Sequence, residues 1–463
     1  MNYVDGKMKD IKLTYIGGGS RGWAWTLMTD LAKCEDLSGE VALYDIDMAA
    51  AKANETIGNA LKKRKDVVGV WDYKVYDSLE TALTGADFVV ISILPGTFDE
   101  MEVDVHCPER LGVYQSVGDT AGPGGIMRAQ RTIPMFIEIA EGIKRYCPDA
   151  WVINYTNPMS VCVKTLYYAF PQIKAFGCCH EVFGTQKVLR GIVNKTGIAN
   201  VENFHDIKIN VLGINHFTWF DAASYKGIDL FPVYRKYIEE HFDEGFFVGE
   251  KYDPNNTFEC LNRVKFDLFM KYGLIAAAGD RHLVEFMPGN LYLKDPETVK
   301  SWNFGLTTVK WRKEDLKRRL EKSKELAGGK PLELKDTGEE GVMLIRALCG
   351  LCDLISNVNL PNTAKQIENL PETAVVETNA YFSRNSVRPV HAGALPDNIR
   401  TLVMPHVDNH ERTLKAAVNG DRNMLYEAFK HDPLLRGRIS EASAQKLADD
   451  MIEGTKQYLP IYR

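Results

Sequence analysis

The first half of the chain alternates short apolar runs with longer amphipathic ones. IKLTYI (11–16), VALYDI (41–46), YKVY (73–76), DFVVISIL (87–94), WVINY (151–155) and KAFG (174–177) have the length and composition of strands. Between them, residues 23–32, 48–62 and 130–145 place apolar side chains at helical spacing. Strands alternating with helices imply βαβ units and a parallel sheet. DFVVISIL is apolar almost throughout, as a central strand covered on both faces requires.

The pattern changes near residue 200. IKINVLGI (207–214) and FTWFDAAS (217–224) predict two longer strands, antiparallel, flanking Asn215-His216. After about Tyr234 helical periodicity dominates, over 263–272, 314–326, 340–355, 410–429 and 441–458, with Ser440 as N-cap of the last. AGGKPLELKDTGEEG (327–341) predicts a polar surface loop, and no internal repeat is present.

Composition narrows the classes. Of 463 residues, 45% are hydrophobic and 25% charged, enough apolar material for a sizeable core. The net charge is −6 and no basic block stands out, so nucleic acid is not an expected partner. The opening MNYVDGKMKDIKLTYIGGGS lacks the apolar segment of a signal peptide. No run is long and apolar enough for a membrane span, so no membrane partner is expected either. Nine irregularly spaced cysteines predict free thiols in a reducing cytoplasm. Long helical patterns in the second half predict a homodimer or homotetramer.

IKLTYIGGGSRGW holds a complete G-x-G-x-x-G, Gly17, Gly19 and Gly22, with Gly18 and Ser20 inside the turn. Three glycines by themselves make no more than a strand–helix turn. Here the run follows a predicted strand, opens a predicted helix, and is followed by Asp45 at the tip of the second strand. That is the setting of a dinucleotide site, with backbone N–H groups against a pyrophosphate and an acid on the ribose diol. An acid at that tip favours NAD over NADP. Pro95, in ILPG after the fourth strand, lies on the same rim. The expected fold is α/β: a Rossmann-type doubly wound sheet binding NAD over residues 1–200, then an α+β domain over 201–463 for substrate, metal and oligomerisation.

The chemistry should lie at the carboxyl ends of the later strands. Five segments can converge there: VGDTAGPGGIMRAQR (117–131), NYTNPMS (154–160), GCCHEVFG (177–184), GINHFTW (213–219) and AAGDRHLVEF (277–286). Cys179 and His216 are candidate metal ligands that would leave coordination positions open for substrate. The alternative for Cys179 is a small buried hydrophobe. Asp119 sits in the glycine-rich GDTAGPGG, where a turn residue is the plain alternative to a functional one, and Asn157 precedes Pro158, where an Asn-Pro turn is the plain alternative. Arg128 and Arg131 suit a carboxylate in a cleft or form a solvated helix face. Asp280, Arg281 and His282 are a dense functional cluster or a surface ion-pair group.

Taken together, IGGGS, LYD, ISILPG, GPGG, TNP, Cys179-His180 and Asn215-His216 resemble glycoside hydrolase family 4, the NAD- and divalent-metal-dependent glycosidases, over essentially the whole length. The family shares its fold with lactate and malate dehydrogenases. CHEV after Gly177-Cys178, with GCCHEVFGTQK and VLGINHFTW around it, is similar to the α-galacturonidase branch. The resemblance implies transient oxidation of sugar C3 by NAD, removal of the C2 proton, elimination of the aglycone and addition of water. It implies Mn²⁺ held by Cys179 and His216, although a Cys–His pair by softness suits zinc, and substrate oxygens complete the shell. It implies that Asn157 binds substrate hydroxyls, that Asp280 is the C2 base, and that Asp119 or His180 protonates the leaving oxygen. A small-molecule uronide carries a C6 carboxylate, for which Arg128 and Arg281 are the candidates. Glu181 would repel that carboxylate and is expected to turn elsewhere. The alternatives are an α-glucuronidase of the same family, a lactate/malate-type dehydrogenase, or an NAD-sensing protein without activity.

Overall fold

The structure is a computed structural model that describes residues 1–462. The chain opens with a hairpin, Asn2–Val4 (β1) against Lys7–Ile16 (β2). Leu37–Tyr44 (β3), Val70–Val75 (β4), Phe88–Ile91 (β5), Trp151–Asn154 (β6) and Lys174–Gly177 (β7) follow. β2–β7 are parallel and lie in the order β7-β6-β5-β2-β3-β4. This is the doubly wound arrangement, and its order reverses between β2 and β5, where a crevice opens at the carboxyl ends.

Helices cover both faces. In β5, Phe88 and Val90 pack with Trp25, Leu31 and Ile345 on one side, whereas Val89 and Ile91 pack with Phe136, Ile143 and Leu166 on the other. All four residues of this strand are buried. At about 1.5–3 kcal/mol for each large apolar side chain removed from water, the central strand is a strong anchor for the rim it supports.

Lys208–Ile214 (β8), Phe217–Tyr225 (β9), Ile228–Asp229 (β10) and Ile275–Ala276 (β11) form a second, antiparallel sheet around β9. Ile214 pairs with Phe217, so Asn215 and His216 are the whole turn of the expected hairpin.

The chain then returns to the first sheet. Leu354–Pro361 (β12), Val375–Ser383 (β13) and Ser386–Pro389 (β14) extend it with antiparallel strands, joined to β7 through Asn359 and Gly177. The boundary expected at residue 200 therefore marks an order along the chain and not a division between sheets. These strands carry Ser356, Asn357, Asn359, Glu377 and Thr378 as buried residues, so their apolar pattern is broken. The helix expected over 340–355 ends at Cys349, because Gly350 turns left-handed (φ 82°) and frees Leu354 and Ile355 for β12. The helix expected over 410–429 is two, Asp397–Asn419 and Arg422–His431, parted at Gly420 (φ 65°). Ser440 caps Glu441–Thr455 as expected, accepting from Ser443 N at 3.1 Å. No helix of the described residues is long and apolar enough to cross a membrane.

Candidate active site

At the end of β2, Gly17 turns left-handed (φ 93°), and a Cβ there would lie 2.0 Å from the Ser92 carbonyl oxygen. Only glycine lets the chain pass this close. Gly17 N and Gly18 N each donate to Tyr44 O at 2.9 Å. Asn54 locks the loop from behind, donating to Gly18 O at 2.7 Å and Ser20 O at 3.0 Å while accepting from Trp25 Nε1 at 2.9 Å. Gly22 then leads into the helix Trp23–Ala32, whose N-terminus has no side-chain cap. Asp45, just past β3, accepts from Gly19 N and from Asp47 N, both at 2.8 Å, which fixes its carboxylate beside the loop. Ile46 next to it is 92% exposed and Leu94 after β5 is 44% exposed. Open apolar side chains beside a glycine cradle and a fixed acid fit a dinucleotide. Pro95 stands on this rim, its carbonyl accepting from Arg131 Nε at 3.3 Å.

Past the ends of β6 and β7 lies a cavity of about 340 Å³. Asn157 reaches it from the turn after β6, and Cys179, His180 and Glu181 from the turn after β7. His216 enters from the β8–β9 turn, Asp119 from the glycine-rich loop, and Asp280, Arg281 and His282 from the segment after β11. His216 holds a left-handed backbone (φ 62°), a costly conformation for a non-glycine residue that aims its ring inward.

Thr120 connects two of these groups. Its hydroxyl donates to Asp119 Oδ1 at 2.7 Å and lies 3.2 Å from His216 Nδ1. With that proton given to Asp119, Thr120 receives Nδ1–H of His216, which leaves Nε2 with a free lone pair. Burial, and then the His282 ring with its centroid 3.9 Å away, hold His216 down at about 3 against the pull of Glu181 and Asp119. The imidazole is therefore neutral, as a metal ligand must be. Burial, with Glu377 and Glu181 nearby, pushes the Cys179 thiol well up, so metal binding there has to displace its proton. Among the described residues no three His, Cys, Asp or Glu side chains gather into a metal-binding group. Cys179 and His216 border the same cavity, and two protein ligands would suit an ion that takes the rest of its shell from substrate and water.

The carboxylates differ in environment. Burial raises Asp119, but Arg128, His282 and His216 outweigh it and bring the group to about 2. Its loop is pinned by Glu285, whose Oε1 accepts from Val117 N at 2.7 Å and Gly118 N at 2.9 Å. Glu181 turns toward the second half of the chain: Oε2 accepts from Gly279 N at 2.7 Å, and Oε1 lies 3.6 Å from His282 Nε2. Burial works against its ionisation, yet His282, His180 and His216 keep it well below the usual carboxylate range. Asp280 is fully buried and accepts from Val264 N at 3.2 Å and Lys265 N at 3.1 Å. It thereby caps the helix Arg263–Tyr272, whose own N-cap Asn262 makes no capping bond and donates instead to Phe246 O at 2.7 Å. Burial pushes Asp280 up to about 6, with Lys265 opposing. His180 stands at the cavity mouth, its side chain 51% exposed and its ring nitrogens 3.4 Å from Glu339 and 3.9 Å from Glu181.

The arginines are placed differently from the simplest expectation. Arg128 is buried and donates from Nε to Asn157 O at 3.0 Å, so it holds the Asn-Pro turn, whose peptide bond is cis. Asn157 Oδ1 is itself buried without a partner among the described residues. Arg131 is no solvated face: it is 1% exposed and paired with Asp104, with Nη1 at 3.0 Å from Oδ1. Arg281 borders the cavity but donates to Ser116 O at 3.0 Å, Gly305 O at 3.3 Å and the Thr307 hydroxyl. Sequence reasoning missed Thr120, Asn54, Glu285 and Glu377. Thr120 stood in the singled-out GDTAG loop. Glu377 left no signal, being on the unrecognised β13, where it accepts from Asn215 Nδ2 at 3.2 Å and Asn357 Nδ2 at 2.7 Å behind the site.

Residues 12–195 match the family model described as family 4 glycosyl hydrolase, and residues 211–435 match that of the family 4 glycosyl hydrolase C-terminal domain. The chain is 62% identical over 461 residues to an alpha-galacturonidase of Lachnoclostridium phytofermentans, covering 99% of each. The solved structure of the Bacillus subtilis protein lplD matches with a TM-score of 0.91 at 49% identity, over 96% of this chain and 100% of that one. A 6-phospho-alpha-glucosidase from gut microorganisms, solved in complex with NAD and Mn²⁺, matches with a TM-score of 0.78 over 97% of this chain and 99% of that one. At 20% identity the last is a likeness of fold. With both halves matched in order and a relative this similar along its full length, the chain belongs to glycosyl hydrolase family 4.

Proposed function

We propose that this protein is an α-galacturonidase that releases α-linked galacturonic acid by way of a ketone formed at C3 of the sugar. When bound, NAD supplies a hydride acceptor and Mn²⁺ a Lewis acid. A C2 proton beside an alcohol is too weakly acidic to remove, whereas beside a ketone it can be taken by a carboxylate. The glycine loop and Asp45 would hold the dinucleotide, and Cys179 with His216 would hold the ion. Asn157 Oδ1, buried and unpartnered, accepts from a sugar hydroxyl.

Asp280 takes the C2 proton. At about 6 it is a stronger base than an ordinary carboxylate, and its two backbone bonds fix the carboxylate while leaving lone pairs for the incoming proton. Asp119, at about 2, stays ionised and so balances charge and orients His216 through Thr120; it is a poor proton donor. His180, open to solvent at the mouth, is the group placed to protonate the leaving oxygen. The observation that carries this reading is the meeting of Cys179, His216, Asn157 and Asp280 in one cavity, in a chain 62% identical to an alpha-galacturonidase.

The test is hydrolysis of nitrophenyl α-galacturonide. Cleavage should require both NAD⁺ and Mn²⁺, and in D₂O the released galacturonate should carry deuterium at C2. Turnover that survives removal of the nucleotide, or product without C2 deuterium, overturns the proposal. The α-glucuronide run in parallel reads the C4 epimer, and sustained NADH accumulation would mark a dehydrogenase.

A further inference from the structure

The helix Val309–Ala327 is rich in cations, and three of them are matched by acids. Lys313 pairs with Asp99 and Glu102, and Arg318 and Arg319 both pair with Asp315. Lys310, Arg312 and Lys317 make no ion pair among the described residues, and of these three only Arg312 borders the cavity, the one that holds Asp119, Asp280 and His216. Arg312 is partly buried, so its guanidinium is not simply a solvated surface charge.

A second cation stands close by. Burial, and then the charge of Arg312, lower Arg281, and Arg312 also bears on Arg128. Arg281 lies over the Phe258 ring at 4.8 Å, and Phe258 packs against Trp311 with centroids 4.6 Å apart, so an aromatic pair spans the distance between the two guanidinium-bearing residues. Glu285, the acid that acts most on Arg281, is spent on the N–H groups of Val117 and Gly118. Arg281 itself is committed to Ser116, Gly305 and Thr307. Like charges gathered at a cavity wall without an acid between them favour an anion there. The rest of the cavity disfavours one, because Asp119 and Glu181 flank the His216–His282 pair.

We propose that Arg312, and neither Arg128 nor Arg281, receives the C6 carboxylate of the uronide and makes the site prefer a uronic acid to a neutral hexose. The assignment rests on the galacturonidase reading above and deepens it. Arg128 and Arg281 act as positioning residues for the Asn157 turn and for the interlock of Ser116 with Arg281.

The experiment compares the wild type with Arg312→Ala and Arg312→Lys on nitrophenyl α-galacturonide, with NAD⁺ and Mn²⁺ present. Losing a charge-assisted, bidentate contact should raise KM about 30-fold in the alanine variant while kcat stays within about threefold. The lysine variant should fall between, and millimolar guanidinium should restore part of the loss in Arg312→Ala. Affinity for NAD⁺ and the thermal midpoint should be unchanged, which separates recognition from folding. An unchanged KM, or a fall confined to kcat, overturns the assignment. If the wild type itself leaves the galacturonide uncleaved, the functional reading fails. Arg312 is then judged by calorimetric binding of free galacturonate, where equal Kd for wild type and Arg312→Ala overturns it.

Discussion

Thr120 shows how much a single hydroxyl decides. It gives its proton to Asp119 and so fixes which nitrogen of His216 is free. Thr120→Val keeps the shape and removes the relay. Mn²⁺ affinity, followed by electron paramagnetic resonance, should fall about 10- to 100-fold with NAD⁺ affinity unaltered. Gly17 is constrained from the opposite side, by space. In Gly17→Ala the new methyl would meet Ser92 O at 2.0 Å in a left-handed backbone. A loss of at least about 2 kcal/mol, read by denaturant unfolding, and weaker NAD⁺ binding by fluorescence are expected. Asp280 combines structure and chemistry in one side chain. Asp280→Asn keeps one acceptor for the helix Arg263–Tyr272 but sets an amide N–H against the other backbone N–H and offers no base, so the thermal midpoint should fall while the folded protein loses turnover entirely. Retained turnover would remove Asp280 from its role.

At the scale of elements, the parts that place the site are those with the strongest local signals. β2, β3 and the helix Trp23–Ala32 were legible because apolar runs, glycines and Asp45 all stand within one βαβ unit. The β8–β9 hairpin was legible too, because Asn215-His216 interrupts two apolar strands. β12–β14 were not, since buried amides, hydroxyls and Glu377 interrupt Val358, Leu360, Val376 and Phe382, and a linear pattern does not reveal that Asn357 and Glu377 are partners. The break between the helix Gly341–Cys349 and β12 depends on Gly350. Gly350→Ala forces a side chain into a left-handed cap, with its Cβ 2.9 Å from that of Arg384. A cost of about 1 kcal/mol is expected, measurable as a lower midpoint in urea.

Over the whole molecule, the site is held by contacts between segments distant in the chain. Arg131 and Asp104 are each 1% exposed and bind the helix Gly122–Tyr146 to the helix Phe98–His106, while Arg131 also reaches Pro95 on the cofactor rim. Arg131→Ala leaves a buried carboxylate without its cation. A loss of about 3–5 kcal/mol, seen by thermal or denaturant unfolding, should follow together with weakened NAD⁺ binding.

Local spacing in the sequence determined the doubly wound sheet, the glycine cradle and the identity of the groups that meet at the cavity. The cradle rests on neighbours in the chain, a strand, a turn and a helix within some thirty residues, and the cavity groups were legible because each stands in its own short local signal at a strand end or turn. The tertiary structure alone decided which arginines are spent and which is free, which nitrogen of His216 is open, and that Asp280 caps a helix from 15 residues away. A side chain's hydrogen bonds and charge depend on what lies across space, and residues as far apart as Ser116 and Arg281 become partners only after the chain has folded.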